Sequence, residues 1–253
     1  NRPLRKLLTL LAWCLLLAVA WALWSWRLDA SDLTFDETAT YFVAHRPALE
    51  ILRYLQGAVR EHPPVYYLLI HAWMRVAGTS EFSLRLFSVG AGLVGLALTG
   101  WLARLVANRH PGHPCSGLVA GLVASVLLLA MPGMAFYARD ARMYSLALVW
   151  TVLSSGLFVR DWLSAREWPS RTACLALGLV HVLALFTHYY LLLPMVVQPL
   201  VLLLARRWKP LVAWCGLHGV PALVGLVWLL AAPGLRMTAT SVSNNLFAAI
   251  PTL

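Results

Sequence analysis

The chain has 253 residues, of which 60% are hydrophobic and 12% are charged. Soluble domains carry about 25% charged residues, and here the apolar residues form long blocks, so the composition excludes an ordinary soluble domain. The net charge of +10 would suggest nucleic acid in a soluble protein, but Lys and Arg collect in short loops between apolar blocks, as membrane topology requires. We therefore expect membrane lipids, and no nucleic acid, as partners.

The apolar blocks predict an all-α fold built as a bundle of transmembrane helices. A basic flank precedes the first block, which is too long for the apolar region of a typical signal peptide and is interpreted as a signal anchor. A span needs about 20 residues, with a range of roughly 17 to 25. About seven segments approach this length: residues 7–26, 82–106, 117–136, 143–159, 172–187, 190–205 and 211–232.

One apolar segment, residues 64–77, is too short for a span. Its fourteen residues would extend about 21 Å as a helix, less than the roughly 30 Å hydrocarbon core. We predict an interfacial or re-entrant helix here. When it is left out of the count and the N-terminus is placed inside, every short basic loop lies on the cytoplasmic side. Residues 27–81 then form the first external loop, with interfacial helices.

The external loop contains two adjacent acids, Asp36 and Glu37. Neighbours on a helix diverge by about 100°, so one acid would act on a substrate while the other would orient it or form hydrogen bonds. The alternative is a helix N-cap, in which Thr34 or Asp36 starts a helix and the following acids favour its N-terminus.

A second polar group, Glu61 and His62, precedes two prolines. The prolines stiffen the backbone and suit the start of a helix. The pair is suited to contact with a metal or a phosphate, or it is a stiff helix entry with solvated side chains.

Two further external turns carry Arg139, Asp140 and Arg142, and His188. Two arginines could grip a phosphate in fork geometry; the alternatives are contact with lipid headgroups or a local Arg–Asp pair. A lone histidine is more often structural than a ligand. Because the predicted topology brings these distant clusters to one membrane face, we interpret them as one active site. His181 and His218 lie within predicted spans and are expected to be satisfied internally.

The order of these motifs resembles the GT-C superfamily of membrane glycosyltransferases. The motifs are Asp-Glu after the first span, His-Pro-Pro, Ser-Glu-Phe-Ser-Leu-Arg-Leu-Phe-Ser leading into the next span, and Ala-Arg-Asp-Ala-Arg-Met-Tyr. The chain looks most like the branch that contains dolichyl-phosphate-mannose protein mannosyltransferases and bacterial lipid A aminoarabinose transferases. The resemblance covers nearly the whole chain.

The resemblance implies that residues 1–253 form one transmembrane catalytic module. Such enzymes move a sugar from a polyprenyl-phosphate donor to a hydroxyl of a glycan, lipid or protein acceptor. The expected location is a bacterial inner membrane, with the active site on the periplasmic face and inversion at the anomeric carbon. Members usually have further spans and often a C-terminal soluble domain, so we expect this sequence to be part of a longer protein.

The resemblance also assigns roles to individual residues. Asp36 matches the first acid of the Asp-Glu motif and would be the general base on the acceptor hydroxyl, with Glu37 as the supporting catalytic acid. Arg139, Arg142 and His62 are the candidates for binding the donor phosphate.

A divalent metal is the one cofactor that the resemblance implies, with Glu61 and His188 as its ligands. The competing hypothesis is a membrane transporter or lipid flippase, which would need ionisable groups at mid-membrane on several helices. A non-catalytic scaffold is the other alternative, and it would not need acids beside Arg and His on one face.

Overall fold

The computed structural model describes residues 2–57, 59, 62–109 and 117–230. Within these ranges the chain is helical apart from its connections and contains no strand, which confirms the all-α prediction. Its α-helices, in chain order, are α1 (Arg2–Ser25), α2 (Phe35–Ala44), α3 (Ala48–Gly57), α4 (Pro64–Ala77), α5 (Glu81–Ala107), α6 (Gly117–Ala130), α7 (Pro132–Ala138), α8 (Tyr144–Leu157), α9 (Arg171–Leu185), α10 (Leu192–Leu204) and α11 (Trp208–Leu230).

Two of the described helices are long and apolar enough to cross a membrane: residues Leu7–Ser25 of α1 and the whole of α5. Helices α6 and α7 meet at an angle of 75° and would make a third span if the bent pair is counted as one. Helix α9 and the segment Tyr189–Leu204 are apolar but shorter. Helix length and composition thus give two or three candidate spans in the described residues, where the sequence predicts about seven.

The first predicted external loop contains three short helices, α2, α3 and α4. Helix α4 has the bounds expected from the sequence, because Pro63 and Pro64 occupy the N-cap and first helical positions, where a missing N–H costs nothing. Helix α4 is joined to α2 through His71, whose Nδ1 lies 2.8 Å from the carbonyl oxygen of Ala44. It is also joined to the α9–α10 turn, since the Val65 N–H donates to the carbonyl of Phe186 at 2.9 Å.

Helix α5 lies at the centre of the bundle and contacts α1, α6 and α8 along its length. Glycines allow these close approaches. A Cβ added at Gly121 of α6 would lie 2.7 Å from the carbonyl oxygen of Gly100 on α5. The two backbones therefore touch with no room for a side chain between them.

The bundle has two chemically different ends. At one end, called the site end, α1 finishes, α5 begins, and the α7–α8 and α9–α10 turns meet. At the opposite end the side chain of Arg109 donates to the carbonyl of Val159, and Lys209 forms an ion pair with Glu167. The clusters predicted as the active site and the basic loops predicted as cytoplasmic are therefore separated by the length of the helices.

The two deep histidines form part of a buried polar network among α8, α9, α10 and α11. His181 Nε2 lies 3.0 Å from the hydroxyl of Ser154, and its Nδ1 contacts His218. His218 Nδ1 lies 2.7 Å from the carbonyl of Trp214, and the Gln198 amide donates to Ser154 at 2.8 Å. These contacts confirm that both histidines are satisfied internally and lie apart from the site end.

Replacing Gly121 with Ala tests the α5–α6 contact. The added methyl group has to push the two backbones apart, and overpacking of this kind costs about 1–3 kcal/mol. The matched control is Gly90→Ala on α5, where an added Cβ meets nothing within 4 Å and gains up to about 1 kcal/mol of helix propensity. Thermal unfolding in detergent should show a lower midpoint for Gly121→Ala only. Equal midpoints for the two variants would contradict this packing.

Candidate functional site

Helix α2 begins with a capping box that fixes the two adjacent acids. The Thr34 hydroxyl accepts from the Glu37 N–H at 3.3 Å, and the Glu37 carboxylate accepts from the Thr34 N–H at 2.9 Å. Both donors would otherwise lack a partner at the helix start. The N-cap alternative raised by the sequence is therefore confirmed, with Thr34 as the cap.

Glu37 is 2% exposed and its carboxylate is held by protein groups on every side. Arg85 donates to it through Nε and Nη2, both at 2.8 Å, and the Ala141 N–H donates at 3.0 Å. Burial by itself would raise the pKa of Glu37, but the hydrogen bonds from Arg85, Ala141 and Thr34 outweigh burial and lower that pKa. Glu37 thus holds the site end together through hydrogen bonds, which is one of the two alternatives foreseen for the second acid.

Arg85 was missed as a site residue, although it stands in the Ser-Glu-Phe-Ser-Leu-Arg motif. It is 5% exposed and uses all five of its N–H donors. Besides Glu37, it binds the carbonyl oxygens of Leu28, Ser31 and Asp32 at 2.8–2.9 Å. The available signal was its position, because an arginine in the second turn of an apolar helix this long needs a buried partner.

Asp36 points away from this ion pair and is exposed. Among the described residues its carboxylate has no hydrogen-bond partner, whereas its carbonyl oxygen accepts from Thr40 at 3.0 Å and from Arg142 Nη1 at 3.4 Å. One step along the helix therefore separates a carboxylate committed to the protein, Glu37, from one that is open to a substrate.

Arg142 contacts the backbone of Asp36 from the protein interior and is 5% exposed. Its Nη1 also donates to the Thr40 hydroxyl at 3.4 Å, while its Nε has no hydrogen-bond partner in the described part of the chain. A buried donor without a partner is uncommon and calls for an explanation, of which a bound ligand is one.

Asp140 is half-buried between these charges. Burial and the nearby carboxylate of Glu37 raise the pKa of Asp140 to about 6, although Arg142 acts in the opposite direction. A carboxyl with a raised pKa in a cleft beside other acids is a functional-site candidate. The sequence placed Asp140 in the right cluster but did not single it out.

Arg139 and Arg142 contact different parts of the molecule. Arg139 reaches the end of α1, where its Nη2 donates to the carbonyl of Trp26 at 2.9 Å, whereas Arg142 reaches α2. The two guanidinium groups therefore do not form the single phosphate fork that their spacing suggested. Residues three apart in an irregular turn need not point the same way.

The remaining candidates lie around Arg142. The ring of His188 is 6.3 Å from that of Tyr144, and the ring of His62 is 6.1 Å from that of Tyr67. Both tyrosines are close enough to Arg142 to interact with its charge. Burial and the charge of Arg142 lower the pKa of His188, so its imidazole is neutral at pH 7.

The predicted metal ligands are only partly described. Glu61 lies outside the described residues. Among those described, no group of three or more His, Cys, Asp and Glu side chains is arranged to hold a metal ion. The metal site therefore stays a prediction.

A cavity of about 220 Å³ opens at the site end, next to the Glu37–Arg85 pair. We call it the arginine cavity because three arginines face it. Its lining residues are Arg27, Leu28, Ser31, Thr34, Glu37, Arg85, Phe136, Arg139 and Asp140.

No protein-family model and no curated protein sequence matches this chain. The resemblance to membrane glycosyltransferases therefore rests on the ordered motifs of the sequence. What the chain does has to be argued from the site itself.

Replacing Glu37 with Gln tests the role of the buried ion pair. Removing one partner of such a pair leaves a buried charge and costs about 3–5 kcal/mol. The matched control is Glu50→Gln on α3, where the acid is exposed and the change should stay within about 0.5 kcal/mol. Chemical unfolding in detergent measures both. A Glu37→Gln protein as stable as the control would show that Arg85 does not depend on this carboxylate.

Replacing Asp140 with Asn tests the electrostatic cost of the site. Because folding raises the pKa of Asp140 from 3.8 to about 6, ionised Asp140 weakens the fold, and this penalty grows as the pH rises from about 4 to 6 and is constant above that. The variant should therefore unfold at a higher temperature than wild type at about pH 7 and at nearly the same temperature at about pH 4. Asp29→Asn, at an exposed acid of the same end, should show no such difference. A less stable Asp140→Asn protein at neutral pH would be incompatible with this assignment.

Proposed function

We propose that this chain is the catalytic module of a membrane glycosyltransferase that moves a sugar from a polyprenyl-phosphate donor to an acceptor hydroxyl, with inversion. One observation carries the proposal. Asp36 presents an open carboxylate, and the buried guanidinium of Arg142, with one unpaired N–H, contacts the backbone of that same residue. A proton acceptor beside a buried cation with a free N–H donor is what nucleophilic attack by a hydroxyl with loss of a phosphate requires.

The reaction we propose is a single displacement. The acceptor oxygen forms a bond to the anomeric carbon as the bond between that carbon and the phosphate oxygen breaks. The bonding electrons leave with the phosphate, and the hydroxyl proton passes to Asp36. Because attack comes from the face opposite the leaving group, the configuration inverts and no covalent sugar–enzyme intermediate forms.

The charged groups around Asp36 have separate roles in the proposed reaction. In this proposal Arg142 stabilises negative charge at the reacting centre, and Asp140 accepts hydrogen bonds from sugar or acceptor hydroxyl groups. Arg139 and His62 contact the donor phosphate from the two sides of the cluster. A divalent metal held by Glu61 and His188 remains part of the proposal and would supply further positive charge at the phosphate.

The proposed setting is a bundle of about seven spans in a bacterial inner membrane, with the site end on the periplasmic side. The orientation is supported by the basic residues Arg109 and Lys209, which lie at the opposite end, where the positive-inside rule expects cytoplasmic loops. Shorter helices such as α9 and α10 would cross with help from their flanking turns.

The prenyl chain of the donor would lie against the apolar surface near α4 and α10. Large apolar side chains stand exposed there, which suits contact with lipid or with an isoprenoid chain. They are Leu69, Val76, Phe82, Tyr190, Leu192 and Leu193.

The transporter or flippase hypothesis fits the described residues less well. The buried charged side chains, Glu37, Arg85 and Arg142, lie at one end of the bundle. Deeper in the bundle, the network around His181 contains hydroxyl, amide and imidazole groups that satisfy one another. A transport path would need ionisable groups on several helices along the bundle centre, and the two histidines at this depth are instead bonded to each other and to neighbouring protein groups.

Replacing Asp36 with Asn tests the proposed base. The change keeps the size of the side chain but removes the proton acceptor, and loss of general-base catalysis lowers rates by about 10²–10⁴-fold. The assay offers the detergent-solubilised protein a panel of polyprenyl-phosphate sugars with glycan, lipid and protein acceptors. Asp36→Asn should bind donor and fail to transfer, while Asp32→Asn, at an exposed acid of the same loop, should transfer normally.

Two results would overturn these assignments. Normal turnover by Asp36→Asn would remove Asp36 as the base. Lipid scrambling in proteoliposomes by a wild-type protein that transfers no sugar from any donor of the panel would replace the glycosyltransferase proposal with the flippase.

A further inference from the structure

The three arginines that line the arginine cavity differ in how many of their N–H donors are already hydrogen-bonded. Arg85 is neutralised by Glu37 and has no donor left. Among the described residues, the hydrogen bonds of Arg139 use Nη2 alone, and the side chain of Arg27 makes none. Two guanidinium groups with free donors therefore face this cavity. Among its described lining residues, Asp140 is the one acid that is not already paired with an arginine.

The backbone of Arg27 adds a second, independent observation. Arg27 follows the end of α1 with φ of +48°, in the left-handed region. This position after a helix is normally filled by glycine, and other residues pay about 1–2 kcal/mol to adopt it. Its carbonyl oxygen is also used, since it accepts from the Ala30 N–H at 3.2 Å. The chain therefore keeps an arginine side chain here at a cost that glycine would not carry.

The rim of the cavity is apolar. Phe136 lines it and is 65% exposed, and Trp26, next to Arg27, is 71% exposed. Exposed aromatic rings at a helix end suit the boundary between lipid and water. A ligand that satisfies both the cations and the rim has an anionic group joined to an apolar chain.

We propose that Arg27 and Arg139 together bind the phosphate group of an amphipathic lipid phosphate in the arginine cavity. This inference rests on the proposed function and deepens it, because the lipid phosphate is then the leaving group of the donor. It replaces the pairing of Arg139 with His62 by an Arg27–Arg139 pair, adds Arg27 as a phosphate-binding residue, and places the prenyl chain at the rim formed by Trp26 and Phe136 instead of near α4 and α10. When the anomeric bond breaks, the phosphate gains a negative charge, and these two guanidinium groups are placed to stabilise it.

The unusual backbone of Arg27 permits a variant that removes the cation without straining the fold. Arg27→Gly deletes the side chain and relieves the left-handed penalty, so the protein should unfold at the same temperature as wild type or a higher one. The matched control is Arg206→Gly. Arg206, just after α10 at the opposite end, is the other described non-glycine residue with positive φ, at +55°. Arg27→Lys keeps the charge.

The test measures binding of a short-chain prenyl phosphate to the full chain in detergent, with the matching prenyl alcohol and inorganic phosphate as separate probes. Arg27→Gly and Arg139→Gln should each weaken prenyl phosphate binding by roughly tenfold or more, as expected when a charged hydrogen bond is lost. Arg27→Lys should lose less, and Arg206→Gly should bind like wild type.

Each other outcome contradicts a named part of the inference. Wild-type affinity in Arg27→Gly would overturn the role of Arg27. Equal affinity for inorganic phosphate and prenyl phosphate would show a free-phosphate site instead of a lipid phosphate site. If the wild type binds prenyl phosphate through Arg27 but transfers no sugar, the lipid phosphate site stands and the proposed function fails. If the wild type transfers sugar and Arg27→Gly transfers it equally well at limiting donor, the proposed function stands and the lipid phosphate site at Arg27 fails.

Discussion

The buried ion pair between Glu37 and Arg85 is the interaction on which the site end depends. Two charges with 2% and 5% exposure are tolerable only because each is fully hydrogen-bonded. Through Arg85 the pair fixes the carbonyl groups of the loop after α1, and through Glu37 it fixes the start of α2 and the Ala141 N–H in the α7–α8 turn. The connection from α1 to α2, the start of α5 and the α7–α8 turn are distant in sequence, and the pair thereby holds them around one point.

The chemistry of the neighbouring residues follows from this arrangement. Because Glu37 is turned inwards and satisfied, Asp36 at the preceding helix position is turned outwards and open. Because the α7–α8 turn is pinned by Ala141, Asp140 is held near Glu37 and its pKa rises to about 6. The same turn directs Arg139 towards α1 and Arg142 towards α2. One structural ion pair thus positions an open acid, Asp36, a titratable carboxyl, Asp140, and two cations, Arg139 and Arg142.

The contrast between the two polar regions of the bundle bears on function. The network around His181, Ser154 and Gln198 pairs its members with one another, so it behaves as satisfied interior. At the site end, by contrast, the Nε of Arg142 and the carboxylate of Asp36 lack partners among the described residues. An open carboxylate next to a buried cation with a free N–H donor is the physical reason for seeking the substrate at this end.

Composition and periodicity by themselves determined the helical fold, the bounds of α4 and the positions of the polar clusters, because helix formation in an apolar block and proline at a helix start are local effects. Helix lengths were less well determined, since turns inside apolar blocks, such as the 75° bend between α6 and α7, leave little trace in hydropathy. Only the tertiary structure decided which acid is committed, that Arg85 is its partner, and that Arg139 and Arg142 diverge. Those outcomes depend on side-chain contacts between residues 48 or more positions apart, and no local pattern of residues encodes such contacts.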